Sequence, residues 1–185
     1  AKKKTLRMIG DPATRYREDP VRIIRAVRFA AKLSQLGFSM DSKTLSPLVK
    51  SKALLVDVPQ SRLFDEMLKL LFSGHALAGL ETMRRLGLHH GLLPQLDRWF
   101  DDPVTRPFVM LALERTDQRI AADKGVSPPF LFAALFWHPM VARWRAHEER
   151  GVRSLQAMHD AMDETIELQR KTLAIPRRLD PMIKE

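Results

Sequence analysis

The sequence predicts an all-α fold. Helix start and stop residues recur along the chain, apolar residues between them follow helical rather than alternating spacing, and one short segment alone reads as strand. With 185 residues, 45% of them hydrophobic and 29% charged, the composition is that of a globular chain and excludes wholesale disorder.

Residues 1–17 read as extended, with a short strand over Thr5 to Ile9 ended by Gly10-Asp11-Pro12. No later strand is legible to pair with it, so the sequence carries the expectation that Ala1 is not the natural beginning. Asp19-Pro20 reads as an N-cap followed by proline at the first helical position, opening a helix to Leu36 with Gly37 as its stop. A short helix follows Asp41. The next has Ser61 as its cap and covers Arg62 to Phe72, before Ser73-Gly74. Residues 76–86 form another, ended by Gly87, and Leu92 to Phe100 a further one. A long helix runs from Pro107 to Lys124. Ser127-Pro128-Pro129 starts an apolar helix through Trp137 that Pro139 interrupts, and Val152 to Leu173 is the last long helix.

The chain has no cysteine, which excludes a disulfide scaffold, cysteine catalysis and a Cys-based zinc site. The longest strictly apolar run, Phe130 to Trp137, is too short to span a bilayer. No secretory leader is legible, and the expectation is a cytoplasmic protein. The net charge is +9. The first 36 residues hold 10 basic and 3 acidic side chains, a net of +7, which leaves +2 for the rest. Such a concentrated excess points to a polyanionic partner, nucleic acid or nucleotide phosphate.

On a helix turning about 100° per residue, Arg22, Arg25, Arg28 and Lys32 share an arc of roughly 120°. Val21, Phe29 and Leu36 fall inside it, so the helix is expected to be covered on most sides, with its cations facing a cleft. At its start, Asp19 can serve as a cap, with Glu18 complementing the helix dipole. Asp19 can equally pair with Arg22, three residues on. A carboxylate only accepts hydrogen bonds and a guanidinium only donates. Adenine offers a donating N6 beside an accepting N1, and cytosine a donating N4 beside an accepting N3. The pair fits both and opposes guanine and uracil.

The run Ile9-Gly10-Asp11-Pro12, then Arg15-Tyr16-Arg17-Glu18-Asp19-Pro20-Val21-Arg22, then Arg25 to Leu33 resembles the bacterial poly(A) polymerase family, which shares its fold with tRNA CCA-adding enzymes. Arg62 to Leu71, Gly87 to Leu96, Pro129 to Pro139 and Leu173 to Arg178 add to the resemblance. It implies a nucleotidyltransferase that extends RNA 3′ ends with AMP from ATP, using magnesium held by paired carboxylates in a head domain. It implies base recognition by Asp19 and Arg22, with Glu18, Arg25, Arg28, Arg62 and Glu66 as supporting positions of the neck. No acidic pair separated by one residue occurs in this chain, so the catalytic metal site is missing and no residue here is assigned a catalytic or metal-binding role. The resemblance therefore implies a multi-helix neck and body that is inactive alone, its N-terminal strand a remnant of an α/β head. Residues 1–18 would be that remnant and linker, 19–100 the neck, and 101–185 the helical body that binds RNA. The alternatives are a portion of a CCA-adding enzyme and a helical RNA-binding or interaction module without a nucleotide pocket.

Other constellations are weaker. His89-His90 reads as a helix-end polar pair and Asp101-Asp102 as a loop or cap. His159-Asp160 lacks the companions of a phosphohydrolase metal site. Trp99, Phe100 and Trp137 are expected in the core. Trp144, between Arg143 and Arg145, is a candidate RNA contact, as is Lys32.

Overall fold

The computed structural model describes residues 4–185; residues 1–3 of the segment expected to be extended lie outside them. Among the described residues the protein has ten α-helices and a two-stranded sheet, as the all-α prediction requires.

The strand is shorter than expected, β1 Thr5–Leu6, and it has a partner. It pairs in parallel with β2 Ser39–Met40, Thr5 opposite Ser39. The expectation of an unpaired strand is therefore corrected. Two residues after the Gly37 turn are too few to signal a strand by alternation, and only the return of the chain beside Thr5 creates the pairing.

The extended reading of residues 1–17 is also corrected. Helix α1 spans Pro12–Glu18, with Asp11 at its N-cap accepting from the Thr14 N–H at 2.8 Å. Gly10-Asp11-Pro12 is thus a helix start, with the same Asp-Pro signature that Asp19-Pro20 carries. Asp19 instead closes α1 as its C-terminal cap residue, in extended conformation. Pro20 and Val21 turn the chain, and α2 begins at Arg22 and runs to Ser34 without a side-chain cap. The two helices abut so closely that Asp19 ends one instead of opening the other. Gly37, at φ +78°, takes the left-handed conformation that ends α2, with its N–H on the Ser34 carbonyl.

The following helices are α3 Ser42–Lys50, capped by Asp41; α4 Gln60–Leu71; α5 Ala76–Arg85; and α6 Leu96–Asp101. Ser61 does not cap α4, which starts one residue before it, after Pro59. Then come α7 Thr105–Ala121, α8 Pro128–Glu149, α9 Ser154–Arg170 and α10 Asp180–Lys184. Asp102, three residues before α7, accepts from the Thr105 N–H at its first position. Pro139 lies inside α8 and does not interrupt it. It removes one backbone donor, but it is itself buried beside Leu135, Phe136 and Met140, and that packing carries the helix through.

A single apolar core joins the elements, from Tyr16 and Val21 through Leu70, Met83 and Trp99 to Ile166 and Ile183. Helix α2 packs on α4 and α5, α5 on α7, and α8 on α9. Trp99 is fully buried and Phe100 nearly so, as expected. Trp137 is not core: it is 47% exposed, because the apolar run that it closes belongs to a helix with one open side. Among the described residues no helix is long and apolar enough to cross a membrane.

Candidate nucleotide-base site

The α1–α2 junction gathers four charged side chains. Glu18 Oε2 accepts from Arg15 Nη1 at 2.9 Å and from Arg22 Nη1 at 3.0 Å. Arg22 Nη1 also donates to the Arg15 carbonyl at 2.9 Å. The Arg22 hydrogen bond, with Arg15 behind it, holds the exposed Glu18 carboxyl below its ordinary pKa. Arg22 is thus a clamped side chain whose plane is set by the end of α1.

Asp19 lies 4.0 Å from Arg22, Oδ2 to Nε. Its other oxygen, Oδ1, accepts from Arg62 Nη2 at 3.0 Å across from α4. Arg62 therefore positions the carboxylate. Among the described residues Asp19 Oδ2 and Arg22 Nη2 have no hydrogen-bond partner, one an acceptor and the other a donor.

One turn further along α2, Arg25 Nε donates to Glu66 Oε1 at 3.0 Å, and Lys69 Nζ reaches the same oxygen at 3.0 Å. Glu66 is 2% exposed. Burial pushes its carboxyl up, but the hydrogen bonds from Arg25 and Lys69 outweigh that and leave it below its ordinary value. The same bond raises Arg25. Lys69, on the α4 face beside Glu66, was not singled out in the sequence, although the three-residue spacing from Glu66 is a legible signal.

Arg22 and Arg25 line a cleft of about 360 Å³ together with Arg7, Arg15, Ala26, Phe29, Leu33 and Met40. The expected cleft is present, and these two arginines line it together with apolar side chains. Asp19, Arg28 and Lys32 are not among its lining. The Arg28 guanidinium lies 4.8 Å from the Phe29 ring centroid, a cation–π contact, and Lys32 is exposed. Arg15 and Arg7 enter the cleft because α1 and β1 fold back over α2, which helical periodicity within α2 cannot reveal.

The candidate RNA residues of α8 lie apart in chain and in role. Arg143 is half-buried and donates to the Pro139 carbonyl at 2.9 Å. Trp144 is half-buried with its indole N–H unpartnered, and Arg145 is exposed. His159 is exposed, and Asp160 accepts from Gln156 at 2.7 Å.

The family model described as "Probable RNA and SrmB- binding site of polymerase A" matches residues 37–100. Poly(A) polymerase I of Escherichia coli O157:H7 is 41% identical over 188 residues, covering 97% of this chain and 39% of that protein. Poly(A) polymerase I of Haemophilus influenzae is 38% identical over 184 residues, covering 97% of this chain and 40% of that protein. A CCA-adding enzyme of Bacillus velezensis is 39% identical over 85 residues, 46% of this chain and 21% of the enzyme. The chain thus spans about two fifths of the length of the polymerases it matches. With nearly its whole length aligned to them, the chain belongs to the bacterial poly(A) polymerase family, in the nucleotidyltransferase class shared with tRNA CCA-adding enzymes.

Proposed function

We propose that this chain supplies the nucleotide-selecting neck and the RNA-holding body of a template-independent polymerase that adds AMP from ATP to RNA 3′ ends in the cytoplasm. In this reading residues 19–100 are the neck and 101–185 the body, and 1–18 lead in from the head.

The observation that carries it is the half-satisfied pair at the α1–α2 junction. Asp19 offers a free acceptor, Arg22 a free donor, and each is braced from behind, by Arg62 and by Glu18. A base edge with a donor beside an acceptor satisfies both, and adenine has that edge. In base-edge recognition a bidentate pair of this kind discriminates by about 1–3 kcal/mol. Arg25 and Arg15, which line a cleft with Arg22, supply positive charge for a triphosphate.

The magnesium chemistry of the family does not belong to this chain's own residues. Magnesium takes oxygen ligands in a near-octahedral set. The sequence has no carboxylates separated by one residue, and the one compact grouping of potential ligands among the described residues, His89, His90 and Asp97, offers two nitrogens. No step through magnesium is assigned to residues of this chain.

Cytosine presents the same edge pattern as adenine, so CCA addition is the second reading, and the CCA-adding enzyme among the relatives favours keeping it. Offering ATP and CTP together, with an RNA primer, to the full-length protein separates the readings. A homopolymeric A tail supports poly(A) synthesis, a short C-C-A end supports the second reading, and no extension overturns both.

A further inference from the structure

His89 and His90 occupy the connection between α5 and α6, and the fold brings Asp97 of α6 to them. His89 is 3% exposed, and its Nε2 lies 3.0 Å from Asp97 Oδ2. The two imidazole rings stand 4.0 Å apart between centroids, tilted by 39°. One ligand atom from each of the three residues falls within 4.8 Å of the others. We infer that His89, His90 and Asp97 form a site for a borderline divalent transition-metal ion, of which zinc is the type.

Four observations carry the inference. The donor set is two imidazoles and one carboxylate, which suits zinc and its first-row neighbours and not magnesium or calcium. Zinc bonds of about 2.0–2.1 Å at tetrahedral angles place ligand atoms roughly 3.3–3.4 Å apart. The His89–Asp97 edge is already close to that length. The longer edges close by rotation of His90, which is exposed and free to turn without disturbing the core.

The next observation is His89 itself. Its Nδ1 is buried with no hydrogen-bond partner, so within the chain the imidazole is tied at one nitrogen only. The nitrogen that faces Asp97, Nε2, is therefore the one through which a cation can engage this imidazole, in place of the Nε2–Oδ2 hydrogen bond.

Third, the carboxylate is prepared. Asp97 Oδ1 accepts from Arg84 Nε at 2.9 Å, which fixes the carboxylate and leaves Oδ2 for the site. Fourth, there is a way in. The Asp97 side chain is 49% exposed and His90 is exposed, so an ion can enter from solvent and keep water as its fourth ligand. The cationic neighbours Arg84, Lys52 and Lys171 lower the affinity, and micromolar binding is expected, not the tight binding of a closed structural zinc site. The ion would pin the α5–α6 connection, whose Leu92 carbonyl also accepts from Gln169 of α9 at 3.0 Å.

The experiment is a zinc titration of the full-length protein against a competing chromophoric chelator, with excess magnesium present to occupy carboxylate sites. Cobalt titration in parallel reads the ligand set from its visible spectrum. The expected result is one zinc per chain, weakened at least about 10-fold by His90→Ala and by Asp97→Asn, and unchanged by His159→Ala. Wild-type Tm should rise with zinc and that of His90→Ala should not. His90 is exposed, so this variant folds whatever the site does. Zinc binding unaffected by His90→Ala overturns the proposal, as does a wild-type protein that binds no zinc at micromolar concentration. An Asp97→Asn variant that loses the same stability with and without zinc, with no other change, shows that His89 and Asp97 form only a hydrogen bond and likewise overturns it.

Discussion

Glu66 holds Arg25 of α2 and Lys69 of α4 with one and the same oxygen, each at 3.0 Å, while its second oxygen is buried without a partner. A carboxylate 2% exposed between two helices is tolerated because both cations reach it. Glu66→Gln keeps the shape and an oxygen facing Arg25 and Lys69 but removes the charge, and leaves its amide N–H₂ at the buried position that has no partner. It should lower unfolding free energy by about 1–3 kcal/mol. The loss is held to that range because Arg25 and Lys69 are themselves 41% and 55% exposed and regain water. Urea denaturation at neutral pH measures it; an unchanged midpoint would mean that the bridge adds nothing to the α2–α4 contact.

The same carboxylate gives a pH dependence whose sign is fixed. Its folded pKa lies below the ordinary 4.5, so on acidification the unfolded chain takes up the proton first. The contribution of Glu66 is present above 4.5 and is lost as pH falls through the folded value. Wild type should therefore be more stable than Glu66→Gln at neutral pH, and the gap should narrow below pH 4.5. Thermal denaturation of the two proteins over an acidic series tests this. A gap that stays constant to low pH would assign the effect to packing instead of charge.

Gly79 sits in α5 against Leu70 of α4. A Cβ there would come within 3.0 Å of Leu70 Cδ2 and 3.1 Å of its Cγ, and Leu70 is fully buried. Valine should therefore cost about 1–3 kcal/mol through overpacking, despite glycine being a poor helix former. If close approach is the cause, Leu70→Ala in the same chain should recover part of the loss, a coupling that a double-mutant cycle reads directly. Independent, additive losses would refute the close-packing account.

Most of the helical fold is legible because each helix carries its own local signals. Asp41, Ser127 and the left-handed glycines Gly37, Gly87 and Gly151 stand at or next to the ends that they mark. What local reading missed is non-local. The partner of β1 is 34 residues away, and two residues of strand leave no periodic trace. The proline rule broke at Pro139 because tertiary burial outweighed one missing hydrogen bond. At the candidate site, α2's own periodicity puts Arg22, Arg25, Arg28 and Lys32 on one arc, of which only Arg22 and Arg25 line a cleft. It could not show that Arg15 and Arg7 close that cleft, or that Asp97 returns to His89 and His90, since both depend on packing between elements.

The Asp19–Arg62 contact yields a test of positioning. Asp19 does not start α2, so Asp19→Asn should leave helix content and stability nearly unchanged, whereas loss of an N-cap would remove about 0.5–2 kcal/mol. The asparagine oxygen can still accept from a base amine, but its hold on Arg62 Nη2 is weakened once the charge is gone. Arg62→Met should then reproduce part of the nucleotide-selection defect of Asp19→Asn, and the two together should be less than additive in kcat/KM for ATP. Additive effects would mean that Arg62 acts elsewhere.

The most direct test of base reading is Arg22→Ala in the full-length protein. Arg22 is braced by Glu18 and by the Arg15 carbonyl, so its loss removes one donor at a defined place and leaves the carboxylate of Asp19 held by Arg62. In the proposed geometry adenine N1 then has no partner, while N6 can still reach Asp19. Discrimination against guanine should fall most, because the Arg22 donor that opposes the guanine N1–H is gone. A loss of about 1–3 kcal/mol in the selectivity ratio is expected from one bidentate contact, roughly 5- to 150-fold. Lys32→Ala, on the exposed far part of α2, should leave that ratio unaltered. Competition between ATP and GTP for one RNA primer measures it. If Arg22→Ala keeps both the wild-type ratio and the wild-type kcat/KM for ATP while remaining folded, the α1–α2 junction is a structural brace, and the base must be read by another part of the protein.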